Sequence, residues 1–291
     1  MKAGIKYGIG AAIVVGAIAA VWFFMNSIQS PREKIKENGI HIDVENLGFY
    51  TKNGRIAGKV YRPTDDTLHR YPAVIWCHGL GENASKADEY LRAIASEGYV
   101  AYAFDFRGGS ASSKSTGLTT KEMSVKTEME DLKDVLEHIK DLRYIDRRNI
   151  FLAGDSQGGL VAALVGISES RSVKGLILLY PAFNIPDDGR ARYPRNRDIP
   201  DSTVVIGTTL GSVYYKDIRN LNPYKKISRF GGEVLLIHGE ADTLVPVSVS
   251  ETLAAGFPSA TLKKIPGAGH GFSGTARKSA IAYIREFLDN Q

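Results

Sequence analysis

Cysteine is almost absent from this chain, since Cys77 is the only one in 291 residues. A single cysteine excludes an intramolecular disulfide, so the fold cannot depend on one in any compartment. Cys77 lies inside the apolar run 72–77, where a thiolate would be costly, and we interpret it as a core residue. The chain also lacks a His-Glu-x-x-His motif and any Cys and His cluster with metal-ligand spacing. We therefore expect no metal and no cofactor.

Internal repeats and low-complexity tracts are also absent, and no motif for nucleic-acid binding occurs. With 43% hydrophobic and 24% charged residues, the chain has the composition of one globular domain with a large core. Its net charge of +5 suits an anionic membrane surface better than it suits DNA or RNA. We expect no nucleic-acid partner, and the sequence does not indicate an oligomeric state.

The only long hydrophobic run lies at the start of the chain. Residues 7–30 carry no charge, and 9–25 are nearly all Ala, Val, Ile, Gly and aromatic residues. This length is close to the about 20 residues that cross a bilayer. We predict a single-pass membrane anchor over residues 1–31.

A cleaved signal peptide is the alternative, because small residues at 17–19 resemble a cleavage site. The apolar run continues beyond them through 21–24, which favours an uncleaved anchor. Lys2 and Lys6 on a short tail favour a cytoplasmic amino terminus, although basic residues also follow the run. The remainder of the chain, 32–291, would then lie outside the cytoplasm.

A Gly-Asp-Ser-Gln-Gly sequence at 154–158 directly follows the apolar run 149–153. Gly-x-Ser-x-Gly between a buried strand and a helix is typical of a nucleophile elbow, a sharp turn that exposes the serine. We expect strained backbone at Ser156, and we expect Gly154 and Gly158 to avoid collisions with the flanking chains. The following helix would direct its positive end toward the serine. Alone, the motif also fits an ordinary glycine turn.

A serine hydroxyl becomes a nucleophile when a histidine accepts its proton and a carboxylate orients that histidine. The apolar run 233–239 leads into a polar loop, and Asp242 in this loop is the candidate acid. Glu240 is the rival acid, and Asp242 could instead cap the helix that begins near residue 247. His270 follows the last predicted strand between glycines and is the candidate base.

Two backbone N–H groups would have to hold the oxygen on which negative charge develops. One belongs to the residue after the serine, Gln157, and the other to the loop after the third strand. The run 72–77 followed by His-Gly-Leu-Gly supplies such a loop, and Leu80 is its candidate donor. A plain strand-end turn is the alternative interpretation. His78 and His238 each precede a glycine at a strand end, where we expect structural roles.

Strand and helix patterns alternate along the rest of the chain, which favours a mainly parallel sheet covered by helices on both faces. We predict one α/β domain over 32–291, with an antiparallel start at 41–50 and 58–62. A long helix is predicted over 121–142, since apolar residues recur there at spacings of three, four and three. Those residues are Met129, Leu132, Leu136 and Ile139.

Five segments together resemble the α/β-hydrolase superfamily, and within it the branch of monoacylglycerol lipases, serine-aminopeptidase-like enzymes and feruloyl or cinnamoyl esterases. They are residues 78–81, 105–108, 154–158, 238–246 and 269–270. The resemblance covers about residues 40–290. It implies the α/β-hydrolase fold and a catalytic triad of Ser156, Asp242 and His270. Asp155 departs from many relatives, which carry histidine before the serine.

Residues 182–230 are too long for a simple connection, and the resemblance places a lid insertion over the active site there. The segment is rich in aromatic residues, which indicate an apolar or aromatic acyl pocket. It is also rich in arginines, which we interpret as a solvated face. An anionic substrate or lipid is the alternative partner for the arginines. The residues are Phe183, Tyr193, Tyr214, Tyr215, Tyr224, Arg190, Arg192, Arg195 and Arg197.

The resemblance and the candidate residues imply a serine hydrolase that cleaves carboxylic esters through an acyl-enzyme on Ser156. Short acyl, monoacylglycerol and hydroxycinnamoyl esters are the expected small-molecule substrates. A peptidase of the aminopeptidase or prolyl type, a thioesterase and an acyltransferase are alternatives on the same fold. A catalytically dead, membrane-tethered binding protein is disfavoured, because a binding protein has no need of three correctly ordered catalytic residues.

Overall fold

The computed structural model describes residues 32–64 and 70–291. The strands are β1 (Glu33–Glu37), β2 (Ile40–Asn46), β3 (Phe49–Thr51), β4 (Gly54–Ile56), β5 (Gly58–Pro63), β6 (Tyr71–Cys77), β7 (Val100–Phe104), β8 (Ile145–Asp155), β9 (Gly175–Leu179), β10 (Ser202–Val205), β11 (Thr208–Gly211), β12 (Glu233–Gly239) and β13 (Ala260–Ile265). The α-helices are α1 (Asp88–Ser96), α2 (Val125–Lys140), α3 (Ser156–Ser168), α4 (Ile185–Arg192), α5 (Ser212–Ile218), α6 (Val247–Gly256) and α7 (Gly274–Asp289). Short 3-10 helices span Ala84–Ala87, Asn196–Asp198 and Pro223–Arg229.

Nine strands form one sheet in the order β1-β2-β5-β7-β6-β8-β9-β12-β13. The pairs from β1 to β7 are antiparallel, and all pairs from β7 to β13 are parallel. The predicted mainly parallel sheet with an antiparallel start is confirmed. In such sheets the loops at the carboxyl ends of the strands meet at one edge, where ligands bind.

Both faces of the sheet are buried, as the alternation along β6 shows. Ala73, Ile75 and Cys77 pack into one apolar cluster, whereas Val74 and Trp76 pack into another. Successive side chains of a strand point to opposite faces, so the two clusters lie on the two sides of the sheet. Continuous apolar strands of this kind are typical of a parallel sheet covered by helices.

The predicted helix over 121–142 forms as α2, with Leu132, Leu136 and Ile139 buried as expected. It begins only at Val125, because Ser124 caps its N-terminus by accepting the backbone N–H of Thr127. The predicted strand 41–50 is divided, and this prediction was wrong in its extent. β2 ends at residue 46, and β3 pairs with β4 in a separate hairpin.

The segment 182–230 holds α4, α5 and the hairpin β10–β11 between the sheet strands β9 and β12. It is therefore built of regular elements rather than one long loop. The predicted anchor over residues 1–31 lies outside the described residues. Among the residues that are described, no helix combines the length and apolar character that a membrane span requires.

Candidate active site

Ser156 lies at the junction between β8 and α3 with a positive φ of 51°. A Cβ atom on Gly154 would lie 2.6 Å from the backbone of Gly158, and one on Gly158 would lie 2.2 Å from the carbonyl oxygen of Cys77. Real Cβ atoms do not approach backbone so closely. The predicted strain at the serine and the predicted need for both glycines are confirmed, because the elbow presses against the end of β6.

Three loops bring the predicted triad residues together. His270 Nε2 lies 2.9 Å from Ser156 Oγ, and His270 Nδ1 lies 2.8 Å from Asp242 Oδ2. Since a carboxylate can only accept, the imidazole proton is on Nδ1, which leaves Nε2 free to accept the serine proton. The ring of Tyr180 packs edge-on against the imidazole, with 4.7 Å between ring centroids. This contact restricts rotation of the imidazole, which lies between the serine and the acid.

Asp242 is buried, and its second oxygen accepts the backbone N–H groups of Leu244 and Val245, each at 2.9 Å. These bonds fix the carboxylate toward His270. The helix α6 begins after Pro246 without a side-chain cap, so Asp242 does not cap it. The rival acid, Glu240, is exposed, and its carboxylate lies 4.0 Å from Lys264 Nζ.

His238 holds the loop that carries Asp242. Its Nε2 lies 2.9 Å from the carbonyl oxygen of Val245, and its Nδ1 lies 2.6 Å from Ser250 Oγ. Burial lowers the pKa of this imidazole, which keeps it neutral. His78 is likewise buried with a lowered pKa, and its Nε2 accepts the N–H of Phe106 at 3.1 Å. Both are structural residues, as the sequence predicted.

Leu80 and Gln157 lie beside the serine on two different segments. Leu80 occupies the turn 79–82, which closes through a 3.2 Å bond from Glu82 N–H to the Gly79 carbonyl oxygen. Gly81 takes a φ of 77°, which a turn of this kind requires at that position. Both candidate donors line one cavity together with Ser156.

This cavity has a volume of about 230 Å³ and opens on the serine hydroxyl. Much of its wall comes from the segment 182–230, through Ile185, Val205, Ile206, Tyr214, Tyr215 and Ile218. The predicted apolar pocket therefore exists, although only two of the five aromatic residues line it. Of the four arginines, Arg192 reaches the cavity. Arg190 pairs with Asp187, and Arg195 pairs with Asp198.

Sequence reasoning missed a buried polar network behind Gln157. The side-chain amide of Gln157 donates to Glu128 Oε2 at 2.8 Å, and its carbonyl oxygen accepts the Tyr214 hydroxyl at 2.6 Å. The network connects α2, the elbow and α5. A signal was present, because Glu128 precedes Leu132 by four residues and therefore occupies the buried face of α2.

Glu128 gives a prediction about stability and pH. Burial raises the pKa of its carboxyl from 4.5 to about 8, and Oε1 has no hydrogen-bond partner. The folded protein keeps this proton while the unfolded chain loses it near pH 4.5, so folding is destabilised as pH rises from 4.5 to 8. Glu128→Gln removes this titration. We expect the variant to melt at a higher temperature than wild type at pH 8 and at about the same temperature at pH 4.5 in thermal denaturation. Equal differences at both values would contradict a neutral buried Glu128.

Within the described residues, 32–64 and 70–291, no three His, Cys, Asp or Glu side chains are grouped as ligands of a metal ion would be.

A mainly parallel sheet, a strained serine between strand and helix, and an aspartate and a histidine on later loops define an α/β-hydrolase. A sequence model of the family described as serine aminopeptidase, S33, matches residues 69–221. This match covers more than half of the chain and includes Ser156. The protein belongs to this family.

Two curated relatives from Mycobacterium tuberculosis match most of this chain. The chain is 23% identical to the esterase LipC of Mycobacterium tuberculosis over 219 residues, which are 69% of this chain and 51% of LipC. An uncharacterised protein of the same organism is 27% identical over 202 residues, which are 68% of this chain and 63% of the relative. The chain thus spans about half to under two thirds of the length of these relatives.

The protein Est1E of Butyrivibrio proteoclasticus, solved with ferulic acid bound, has 22% identity and a TM-score of 0.71, with 89% of this chain and 98% of Est1E covered. The monoacylglycerol lipase of Paleococcus ferrophilus has 18% identity and a TM-score of 0.60, with coverages of 81% and 98%. At these identities the likeness establishes a shared fold.

Proposed function

We propose that this protein is a serine hydrolase that cleaves carboxylic esters through an acyl-enzyme on Ser156. The observation that carries the proposal is the continuous hydrogen-bond chain from Asp242 through His270 to Ser156, with contacts of 2.8 and 2.9 Å. This chain ends at an apolar cavity of about 230 Å³ that can receive an acyl group.

In the first half-reaction, Ser156 Oγ attacks the ester carbonyl carbon while His270 Nε2 takes the hydroxyl proton. The carbonyl oxygen becomes an oxyanion, which the backbone N–H groups of Leu80 and Gln157 hold. The buried carboxylate of Asp242 stabilises the imidazolium. When the intermediate collapses, the alkoxide leaving group takes the proton from His270 and departs as an alcohol.

In the second half-reaction, water attacks the acyl-enzyme and gives its proton to His270. Collapse of this intermediate breaks the bond to Ser156, whose oxygen recovers the proton, and releases a carboxylic acid. The N-terminal end of α3 points at the same oxyanion and adds its partial positive charge. The serine is unchanged at the end of the cycle.

The cavity favours short acyl, monoacylglycerol or hydroxycinnamoyl esters. Its apolar wall suits a hydrocarbon or an aromatic ring, and its volume limits the length of the group. The esterase LipC, the ferulic acid bound to Est1E and a monoacylglycerol lipase among the similar proteins support this range. The family description favours an aminopeptidase as the second candidate.

Turnover of matched substrates separates the two candidates. We expect hydrolysis of p-nitrophenyl acetate, butyrate and ferulate, and little hydrolysis of the p-nitroanilides of alanine and proline. Both series release chromophores that are read in the same assay. Faster cleavage of the anilides would reject the esterase in favour of the aminopeptidase.

We further propose that the segment 182–230 acts as the lid of the cavity, with the β10–β11 turn at its mouth. Ile206 and Gly207 form this two-residue turn with φ values of 47° and 75°. Such a turn prefers Asn-Gly, and a β-branched residue there is strained. Ile206 is nevertheless 63% exposed and lines the cavity, so its role is contact with the acyl group.

Ile206→Asn should therefore change stability and activity in opposite directions. Relief of strain should stabilise the fold by about 1 kcal/mol, measured as a higher melting temperature. Loss of apolar contact should lower kcat/KM for a butyrate ester roughly fivefold. Val204→Asn is the matched control, since Val204 is 61% exposed on the same hairpin but outside the cavity wall. Unchanged butyrate turnover in Ile206→Asn would exclude the contact.

We also propose, from the sequence, that residues 1–31 anchor the protein in a membrane with the hydrolase domain outside the cytoplasm. A chain that starts at Arg32 keeps every described strand and all proposed catalytic residues. It should be soluble and should retain the specific activity of the full chain toward a soluble ester. The full chain should stay with membranes after carbonate washing, because an embedded helix resists it. Full-length chain in the soluble fraction would refute the anchor.

A further inference from the structure

The carboxyl group of Asp155 lies buried beneath the turn that carries Leu80. One oxygen accepts the indole N–H of Trp76 at 3.0 Å. The carboxyl also interacts with the side chain of Glu82 and with the backbone of Gly79. Asp155 is 8% exposed and does not belong to the triad. The proposed mechanism therefore leaves unexplained a buried aspartate and a half-buried glutamate beside the nucleophile.

Both acids converge on Gly79. A Cβ atom at this glycine would lie 3.1 Å from Asp155 Oδ2, 3.3 Å from Glu82 Oε2 and 3.4 Å from Ser156 Cβ. Both carboxyl oxygens therefore face the same point, and a proton on Asp155 lets this carboxyl donate to Glu82. Burial, and then the charge of Glu82, raise the pKa of Asp155 well above its usual range.

The positions of the two acids in the sequence connect them to the two oxyanion donors. Glu82 follows Leu80 by two residues, and Asp155 precedes Gln157 by two residues. We propose that the Asp155–Glu82 pair is a proton-dependent clamp that fixes the separation of the two oxyanion donors. Both are positioning residues, because neither contacts the substrate. The inference rests on the proposed function of the site.

The protonation state determines whether the clamp is closed. With one shared proton, the hydrogen bond holds the turn 79–82 against the elbow. When Asp155 loses that proton as pH rises, its buried carboxylate and the half-buried carboxylate of Glu82 repel each other, and the turn moves away from Gln157. Oxyanion donors act mainly in the transition state, so opening should lower kcat and leave KM nearly unchanged.

Other titratable or charged side chains that face this region are Cys77, His78, Glu89, Tyr90, Asp105, Tyr180 and Arg277. Burial raises the pKa of Cys77, Tyr90 and Tyr180 and lowers that of His78, so all four stay neutral. Arg277 pairs with Glu89 at the surface.

The test compares pH profiles of kcat for p-nitrophenyl acetate and of the rate of labelling by a fluorophosphonate. Wild type should lose kcat and labelling rate as pH rises. Glu82→Gln replaces the shared proton with an amide N–H that cannot ionise, so it should match wild type at pH 7 and lose the alkaline decline. Glu82→Ala leaves Asp155 without this partner and should lower kcat about 10-fold or more at pH 7, with KM little changed.

Glu89→Gln is the matched control, because it makes the same change in a nearby exposed ion pair. It should keep the wild-type profile. If Glu82→Ala does not fold, Asp155→Asn supplies the mirror-image test, since its amide donates to Glu82 and should also abolish the alkaline decline.

A wild-type profile without an alkaline decline, or the same decline in Glu82→Gln as in wild type, would overturn the clamp. Changes of kcat and KM by the same factor in Glu82→Ala, without recovery in Glu82→Gln, would also overturn the clamp. Labelling separates this failure from that of the proposed function. A wild type that is labelled but cleaves no ester refutes the ester assignment, and the labelling profiles still decide the clamp.

Discussion

Ser156→Ala should abolish labelling by a fluorophosphonate and lower kcat for p-nitrophenyl esters by about 10⁶-fold. Ser156 carries the hydroxyl that His270 Nε2 contacts, at 2.9 Å, and it lies on the strained turn between β8 and α3. Alanine removes the oxygen without adding bulk, so the glycine contacts of the elbow are preserved. Mass spectrometry of labelled peptides and steady-state kinetics measure the two effects.

The control for this experiment is Ser250→Ala, which removes a buried serine hydroxyl that also contacts a histidine, His238. This variant should still be labelled, although its stability should fall. Undiminished esterase activity in Ser156→Ala would reject the nucleophile. Equal losses in both variants would indicate a general structural effect.

Asp242→Asn should lower kcat by about 10³- to 10⁴-fold while the fold is retained. The effect depends on which atom of the side chain faces His270. Oδ1 of Asp242 accepts the N–H groups of Leu244 and Val245, so the amide nitrogen of asparagine must take the place of Oδ2 and face His270. It then donates to Nδ1, which moves the imidazole proton to Nε2, where it blocks acceptance of the serine proton.

Glu240→Gln makes the same chemical change two residues away and is the matched comparison. Glu240 is exposed and lies near Lys264, so we expect an effect within about twofold. Kinetics at saturating ester measure both variants. The reverse ranking would assign the acid role to Glu240.

Local patterns made the elbow and the parallel sheet predictable. The Gly-x-Ser-x-Gly spacing marks the elbow within five residues, and the strands are continuous apolar runs. The order of serine, acid and histidine then restricted the candidates to two loops. The contacts that join Ser156, Asp242 and His270 follow from the carboxyl ends of strands meeting at one edge of the sheet.

Contacts between distant segments were not predictable in the same way. Glu128 meets Gln157 only because α2 packs against the elbow, and Asp155 meets Glu82 only because β6 and β8 are neighbours. In the sequence, Asp155 was simply an unusual residue before the serine. The division of the predicted strand 41–50 also depends on pairing with other segments, since β2 pairs with β5 whereas β3 pairs with β4.

The solitary cysteine has a practical consequence for following the hairpin β10–β11 in solution. Cys77 is completely buried in β6, and burial raises the pKa of its thiol well above its usual range. Thiol-reactive dyes therefore have no accessible native target in the folded protein. A cysteine introduced at Val204, on the exposed hairpin beside the cavity, would carry a fluorophore at a single known position. The wild-type protein can thus be labelled at one introduced cysteine, and the fluorescence would report whether the hairpin moves during turnover.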